Sequence, residues 1–283
     1  LAGYISSETC YHHGEASMMS TIINMAQNYV GSNNYNLLKP NGGFGTRLQG
    51  GKDAASPRYI FSQLTNICLQ LFNNDDDKVL TYLDDDGTSI EPEFFVPTLP
   101  LILINGAEGI GTGFSCSIPC FNPEDIKNCI KCILSGKEIP ALIPWYNGFT
   151  GTIEPTNESN DSFLVKGKYK QIKPNVIEIT ELPIGMWTQD FKSFLEDILD
   201  DKIQSYVNHS TDTTVRFVIK YFPDKIKDIW KDFKLTKSLK TTNMHLFDEN
   251  GNMKKYNTPQ AIVQEFVEVR LKYYTLRKEN LLK

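Results

Sequence analysis

Apolar positions recur at helical spacing from Met18 through Met19, Ile22, Ile23 and Ala26 to Tyr29, which predicts a helix behind Tyr11-His12-His13-Gly14-Glu15 that stops at Gly31. A short apolar stretch, Tyr35 to Leu38, precedes a glycine-rich run from Asn41 to Asp53 that contains Gly42, Gly43, Gly45, Gly50 and Gly51. Extended chain is expected at Arg58-Tyr59-Ile60-Phe61. A helix N-capped by Ser62, with Leu64, Ile67, Cys68, Leu71 and Phe72, should follow. A helix, a short element and a glycine hairpin returning to an extended segment is the order of a winged-helix module. The acidic clusters Asp75-Asp76-Asp77 and Asp84-Asp85-Asp86 read as solvated loop, and Pro92, Pro97 and Pro100 mark an extended passage between two domains.

Beyond it, Leu101 to Ile104 is predicted as a buried strand, followed by a loop from Asn105 to Gly113 in which Ile110 stands between glycines. A helix spans 123–134, with Ile126, Ile130 and Ile133 on one face. From Pro144 to about Tyr221 short β-rich runs (151–153, 163–165, 176–180, 214–220) surround a helix from Asp190 to about Ile203. A second helix is expected near 224–233. The pattern is that of an α+β fold, in which Thr180-Glu181-Leu182-Pro183 and Trp187 read as strand-end packing. Thr258 and Pro259 then form an N-cap and first-turn pair. Ile262, Phe266, Val269, Tyr273 and Leu276 hold a 3-4 spacing towards Lys283, as in the first arm of a coiled coil that carries a partner or a second protomer. A terminal helix docked on its own domain is the alternative.

Length changes the picture little: 283 residues suffice for two domains and an appendage. Charge changes it more. The net charge is −5, but residues 65–99 alone carry eight acids against one lysine, leaving a net of +1 on each side of that block. The acidity is local, and a nucleic-acid footprint elsewhere on the surface stays open. Six scattered cysteines point to a reducing compartment. No run of apolar residues is long enough to span a membrane, and the start, which lacks Met and a basic leader, reads as that of an excised piece.

Candidate chemistry centres on Arg58-Tyr59. A tyrosine hydroxyl is a poor nucleophile near neutral pH, because phenols ionise near about pH 10, so a cation fixed beside it matters. Arg58 supplies one with phosphate-matching geometry, and the glycine-rich run lets backbone approach a bulky anionic strand. His13 lies at a helix start, where unpaired N–H groups favour phosphate and an imidazole can donate or relay a proton. An exposed Ile110 between glycines has the form of a wedge between DNA base steps, and equally of a core-facing turn. Other chemistries fit less well. The twelfth position counted from Asp84 is Phe95, so the acidic run is no EF-hand, and Cys116, Cys120, Cys129 and Cys132 are spaced as buried hydrophobes rather than zinc ligands. No nucleotide-binding glycine signature is present.

Across Tyr11-His-His-Gly-Glu15, Ala26 to Asn34, Phe44-Gly-Thr-Arg47, Gly50 to Phe61, Leu103 to Gly113, Ile179 to Pro183 and Asn243-Met-His-Leu-Phe-Asp248, the chain resembles the DNA cleavage and religation core of eukaryotic-type DNA topoisomerase II. The resemblance implies a winged-helix domain over 1–99, a tower domain over 100–257, and the first helix of a coiled-coil, dimer-gate arm over 258–283. It implies Tyr59 as the nucleophile that forms a 5′-phosphotyrosyl link, Arg58 steadying the scissile phosphate, His13 assisting, and Ile110 as the wedge. Lys52 and Arg47 are expected as further DNA contacts. Double-stranded DNA, a second copy of the chain, and the TOPRIM and ATPase domains of the same enzyme are the implied partners, without a membrane. Mg²⁺ and ATP are implied for the full enzyme, both bound outside this chain, because no Glu-Gly-Asp-Ser or Asp-x-Asp-x-Asp run is present. The isolated piece is then expected to bind DNA weakly without cutting it. The implied compartment is the nucleus, or a viral factory or virion for a large DNA virus. Two other classes remain: a non-catalytic winged-helix DNA-binding module with a dimerisation arm, and a tyrosine recombinase, whose adduct would be a 3′-phosphotyrosine.

Overall fold

The computed structural model describes residues 1–283. Helices α1 (Ala2–Glu8) and α2 (Glu15–Ala26) come first. The latter carries the predicted apolar stripe but ends before Gly31, because the Asn33 amide donates to the carbonyls of Asn24 (2.7 Å) and Gln27 (2.9 Å), satisfying groups that a helix end leaves open. Ile22, Ile23 and Ala26 pack with Leu38, Phe44 and Ile60. The segment bearing Tyr59 is therefore seated on α2.

The glycine-rich run folds back as expected, with Asn41 bridged to Phe61 and the Ala55 N–H donating to the Gly43 carbonyl at 2.8 Å. Arg58-Tyr59 itself is not extended. Pro57 pre-sets a single 3₁₀ turn over Pro57–Tyr59, and the chain becomes extended only at Ile60. Nor does Ser62 cap a helix: its hydroxyl donates to the Lys39 carbonyl, while Thr65 accepts from the Cys68 N–H and starts α3 (Asn66–Leu71), leaving Leu64 exposed.

The second acidic cluster caps an exposed hairpin, β1 (Tyr82–Asp85) with β2 (Thr88–Pro92). The first is not simply solvated. Asp76 is buried, and accepts from Arg270 at 2.8 Å and Arg277 at 3.3 Å, because a carboxylate taken out of water requires such partners.

Leu101 to Ile104 is helical, α4 (Leu101–Asn105), rather than a strand; a run of four apolar residues is compatible with either, and burial of Leu103 and Ile104 is met by both. Conversely, the glycine loop after it is a hairpin, β3 (Ala107–Gly111) with β4 (Phe114–Ile118). Helix α5 (Pro123–Leu134) lies where its periodicity puts it, capped by Asn122.

Strands β5 (Thr152–Pro155), β6 (Ser162–Lys166), β7 (Lys168–Lys173) and β8 (Val176–Glu181) precede α6 (Thr188–Asp197). Then come β9 (Ile203–Asn208), β10 (Phe217–Tyr221), the short α7 (Ile229–Asp232), β11 (Thr236–Lys240), β12 (Met244–Phe247) and β13 (Met253–Tyr256). Ile203 thus opens a strand instead of closing a helix. The strands pair antiparallel as β7-β8-β10-β9, β11-β6-β5 and β12-β13. One core lies between the four-stranded sheet and α6, around Ile177, Phe191, Leu195 and Phe217. Another joins α4, α5, β4 and the β12-β13 hairpin to the last helix, α8 (Pro259–Leu281).

Thr258 caps α8 through the Ala261 N–H, with Pro259 in its first turn. Its buried stripe is Ile262, Val263, Val267, Arg270 and Tyr273, so the first half is docked on its own domain and Leu276 faces solvent. The mixed helix and antiparallel-sheet architecture agrees with the α+β expectation.

Candidate functional site

The 3₁₀ turn presents Tyr59 outward, with 67% of its surface exposed, and the Arg58 guanidinium carbon lies 5.0 Å from the centre of its ring. An exposed cation–π contact is worth about 0.5–1 kcal/mol, less than the about 1.5–3 kcal/mol of a hydrogen bond to a charged group. A phosphate arriving at the hydroxyl can therefore draw the guanidinium off the ring. His13 is exposed just ahead of Gly14, the N-cap of α2, and packs edge-on against Tyr11 with ring centres 5.4 Å apart. Neither His13 nor Ile110 shares a hydrogen bond, ion pair or ring contact with Tyr59. What joins His13 to Tyr59 is α2, whose other end supports Ile60.

The rest of the glycine-rich run is a seam. Thr46 and Asp53 close it, the Thr46 N–H donating to Asp53 at 2.8 Å, and the Arg47 and Leu48 carbonyls accept from the Thr188 (3.3 Å) and Gln189 (2.9 Å) N–H groups at the start of α6. That helix has no side-chain cap, so the loop supplies one. The Trp187 indole lies against Gly50, where a Cβ would sit 2.2 Å from the ring, and packs edge-on against Tyr29. Burial, aided by the Asp53 charge, pushes the Tyr29 hydroxyl's pKa up.

Lys52 is exposed on this run. Arg47 is not: 7% of its surface remains accessible, and its guanidinium donates to Glu181. Glu181 also accepts from the Thr150 N–H (3.1 Å) and hydroxyl (3.0 Å) and from the Leu182 N–H (3.0 Å). Arg47 is therefore corrected from a DNA contact to a strut, because a guanidinium neutralising a buried carboxylate cannot also neutralise a phosphate. Glu181, assigned by its sequence to strand-end packing, is the other half of that strut. Its signal was a carboxylate on the inward register of Val176–Glu181, next to buried Leu182. Asn34 was missed as well. It spans two regions, donating to the carbonyls of Phe121 (3.3 Å) and Trp145 (3.1 Å) and accepting from the Asn147 N–H (2.8 Å).

Ile110 occupies the end of the β3-β4 hairpin and is 94% exposed, which separates it from a core-facing turn residue. The cysteines are free thiols; burial pushes Cys120 up to about 12 and Cys129 up to about 11. No group of three or more His, Cys, Asp or Glu side chains is arranged to hold a metal ion, and Asp76 is committed to two arginines. No helix is long and apolar enough to cross a membrane.

An exposed Arg-Tyr pair on a rigid turn, a histidine at a helix start and a protruding isoleucine on a mixed α/β scaffold define a phosphodiester-handling class. The family model for the DNA-cleaving chain of DNA gyrase/topoisomerase IV matches residues 1–283, and the chain belongs to that family. It is 48% identical over 292 residues to DNA topoisomerase 2 of Pisum sativum, covering 99% of this chain and 20% of that protein. It is also 48% identical over 294 residues to DNA topoisomerase 2-alpha of Gallus gallus, covering 100% of this chain and 19% of that one. Its fold superposes with a TM-score of 0.96 and 44% identity on the crystal structure of the Plasmodium falciparum topoisomerase II DNA-binding, cleavage and re-ligation domain, over 99% of this chain and 39% of the other. The chain thus spans about a fifth of the curated relatives' length.

Proposed function

We propose that this chain is the DNA-gate core of an ATP-dependent type II DNA topoisomerase. The observation that carries this reading is the outward-facing Tyr59 with Arg58 over its ring, in a chain of this family. Tyr59 Oη attacks the phosphorus of a DNA phosphodiester; the new O–P bond forms as the bond to the 3′ oxygen breaks. The strand leaves as a 3′-hydroxyl and the 5′ end stays on tyrosine as a phosphodiester. The phenol proton passes to His13 or to water, and the departing oxygen takes one up. Arg58 answers the charge that develops on the phosphoryl oxygens, Lys52 steadies the neighbouring backbone, and Ile110 enters a base step and bends the duplex. Religation is the reverse attack by the 3′-hydroxyl.

In this reading residues 1–99 form a winged-helix domain, 100–257 a tower, and 258–283 the start of a coiled-coil arm through which two copies meet. The metal-ligand geometry absent from these residues is supplied by a TOPRIM domain, which brings Mg²⁺, and ATP turnover by an ATPase domain; no step is routed through either group here. The enzyme works in the nucleus, or in a viral compartment. Tyr59→Phe in the full-length dimer tests the assignment. Strand passage and the covalent adduct should both vanish while DNA binding persists. Survival of strand passage overturns the reading, as does an adduct trapped on the 3′ side.

A further inference from the structure

The hairpin that carries Ile110 is bare at its end. Gly109 and Gly111 flank the isoleucine, and Thr112-Gly113 makes the turn, so little in the hairpin itself fixes where a side chain 94% exposed will point. Support comes from elsewhere in the chain. Ser115 is the cross-strand partner of Ile110, and its hydroxyl accepts from the Asn243 side-chain amide at 2.8 Å. The Asn243 carbonyl also accepts from the Ser117 N–H at 2.8 Å, so one residue holds the same strand at two successive outward positions. Just beyond, His245 packs against the Phe114 ring, with centres 6.2 Å apart. That ring in turn lies over Gly111, where a Cβ would come within 2.5 Å of it. A hairpin held on one strand by a side-chain bond and a ring contact cannot pivot freely about its base, whereas an unbraced two-stranded hairpin is marginal in water.

We propose that Asn243, acting through Ser115, is a positioning residue for the Ile110 wedge, and that the brace it forms with the Phe114–His245 contact sets how far bound DNA is bent. The inference rests on the wedge role given to Ile110 above. A wedge opens a base step only if it resists being pushed aside, and unstacking a step costs a few kcal/mol of the same size as the bonds holding the hairpin. Asn243 touches no DNA in this scheme. It determines the bent population by keeping the hairpin from yielding.

The test is DNA bending by the full-length dimer, read from energy transfer between dyes at the two ends of a short duplex, with thermal unfolding measured alongside. Asn243→Ala and Ser115→Ala should each lower the bent population about three- to tenfold at unchanged unfolding temperature, the range set by loss of one hydrogen bond. The double variant should be no worse than either single, and Ser115→Thr, which keeps the hydroxyl, should bend normally. A duplex made flexible by a mismatch at the wedged step should restore bending to Asn243→Ala, because less force is then needed. If Ile110→Ala abolishes bending while Asn243→Ala and Ser115→Ala bend as the parent does, the positioning role is wrong and the wedge stands. If Ile110→Ala itself bends DNA normally, the wedge reading falls and takes this one with it. Additive losses in the double variant would also overturn the proposal, since they would mean the two residues act separately.

Discussion

Arg47 and Arg58 belong to one glycine-rich stretch and end in opposite surroundings. Arg47 is enclosed between the loop and β8, neutralising Glu181, whereas Arg58 lies in solvent over the Tyr59 ring. The same residue type is structural where a buried carboxylate faces it and available for chemistry where nothing does. The seam built by Arg47 is rigid so that the turn bearing Arg58 can be exposed without being loose.

The comparison breaks cleanly by substitution. Arg47→Ala strands the Glu181 carboxylate out of water, and should destabilise the fold by about 3–5 kcal/mol in denaturant titration. Arg58→Ala should change stability by no more than about 0.5 kcal/mol yet lower the rate of DNA cleavage by about 10²–10³-fold in the full enzyme. If the two variants instead lost stability equally, the division of labour would be wrong. Next in size is Gly50→Ala. Its positive φ of 61° strains any other residue, and the added methyl would strike Trp187, so a loss of about 2–4 kcal/mol is expected. Gly113→Ala meets open space at φ 84° and should cost about 1–2 kcal/mol, from backbone strain alone.

The smallest effect is a pH dependence that leaves the Tyr59 turn untouched. Burial raises the Cys120 thiol from the ordinary 9.0 to about 12, so an unfolded chain ionises it first. Its stabilising contribution is whole below pH 9 and declines as pH rises towards 12. Between pH 9 and pH 10 that amounts to about 1 kcal/mol, and Cys120→Ala should flatten the slope by this amount. Alkylating reagents at pH 8 should likewise leave Cys120 unmodified until the protein is unfolded.

Much of the site is legible in the chain alone. Pro57, Arg58 and Tyr59 between a glycine-rich run and an apolar Ile60 already describe a polar turn anchored by one buried residue, and His13 ahead of a helical stripe already describes a helix start. The helices with strong periodicity, α2, α5 and α8, lie where their patterns put them, because each presents one apolar face over several turns. Short runs were ambiguous: Leu101 to Ile104 could satisfy a strand or a helix, and Tyr59 sits on a 3₁₀ turn that no period of two or 3.6 records. Strands such as β7, β9 and β11, with lysines and exposed positions along them, carried too little alternation to be seen.

The sequence by itself determined the local chemistry: which residue can attack, which cation lies beside it, and which isoleucine stands free of other side chains. Only the tertiary structure decided which charges are available. Arg47, Asp76 and Glu181 look like any surface residues along the chain, and become buried because segments far apart in sequence close over them. Ion pairing between such segments is a property of the packed state, since it depends on distances that no neighbouring residue sets. The same is true of Asn243, more than a hundred residues from the hairpin it braces.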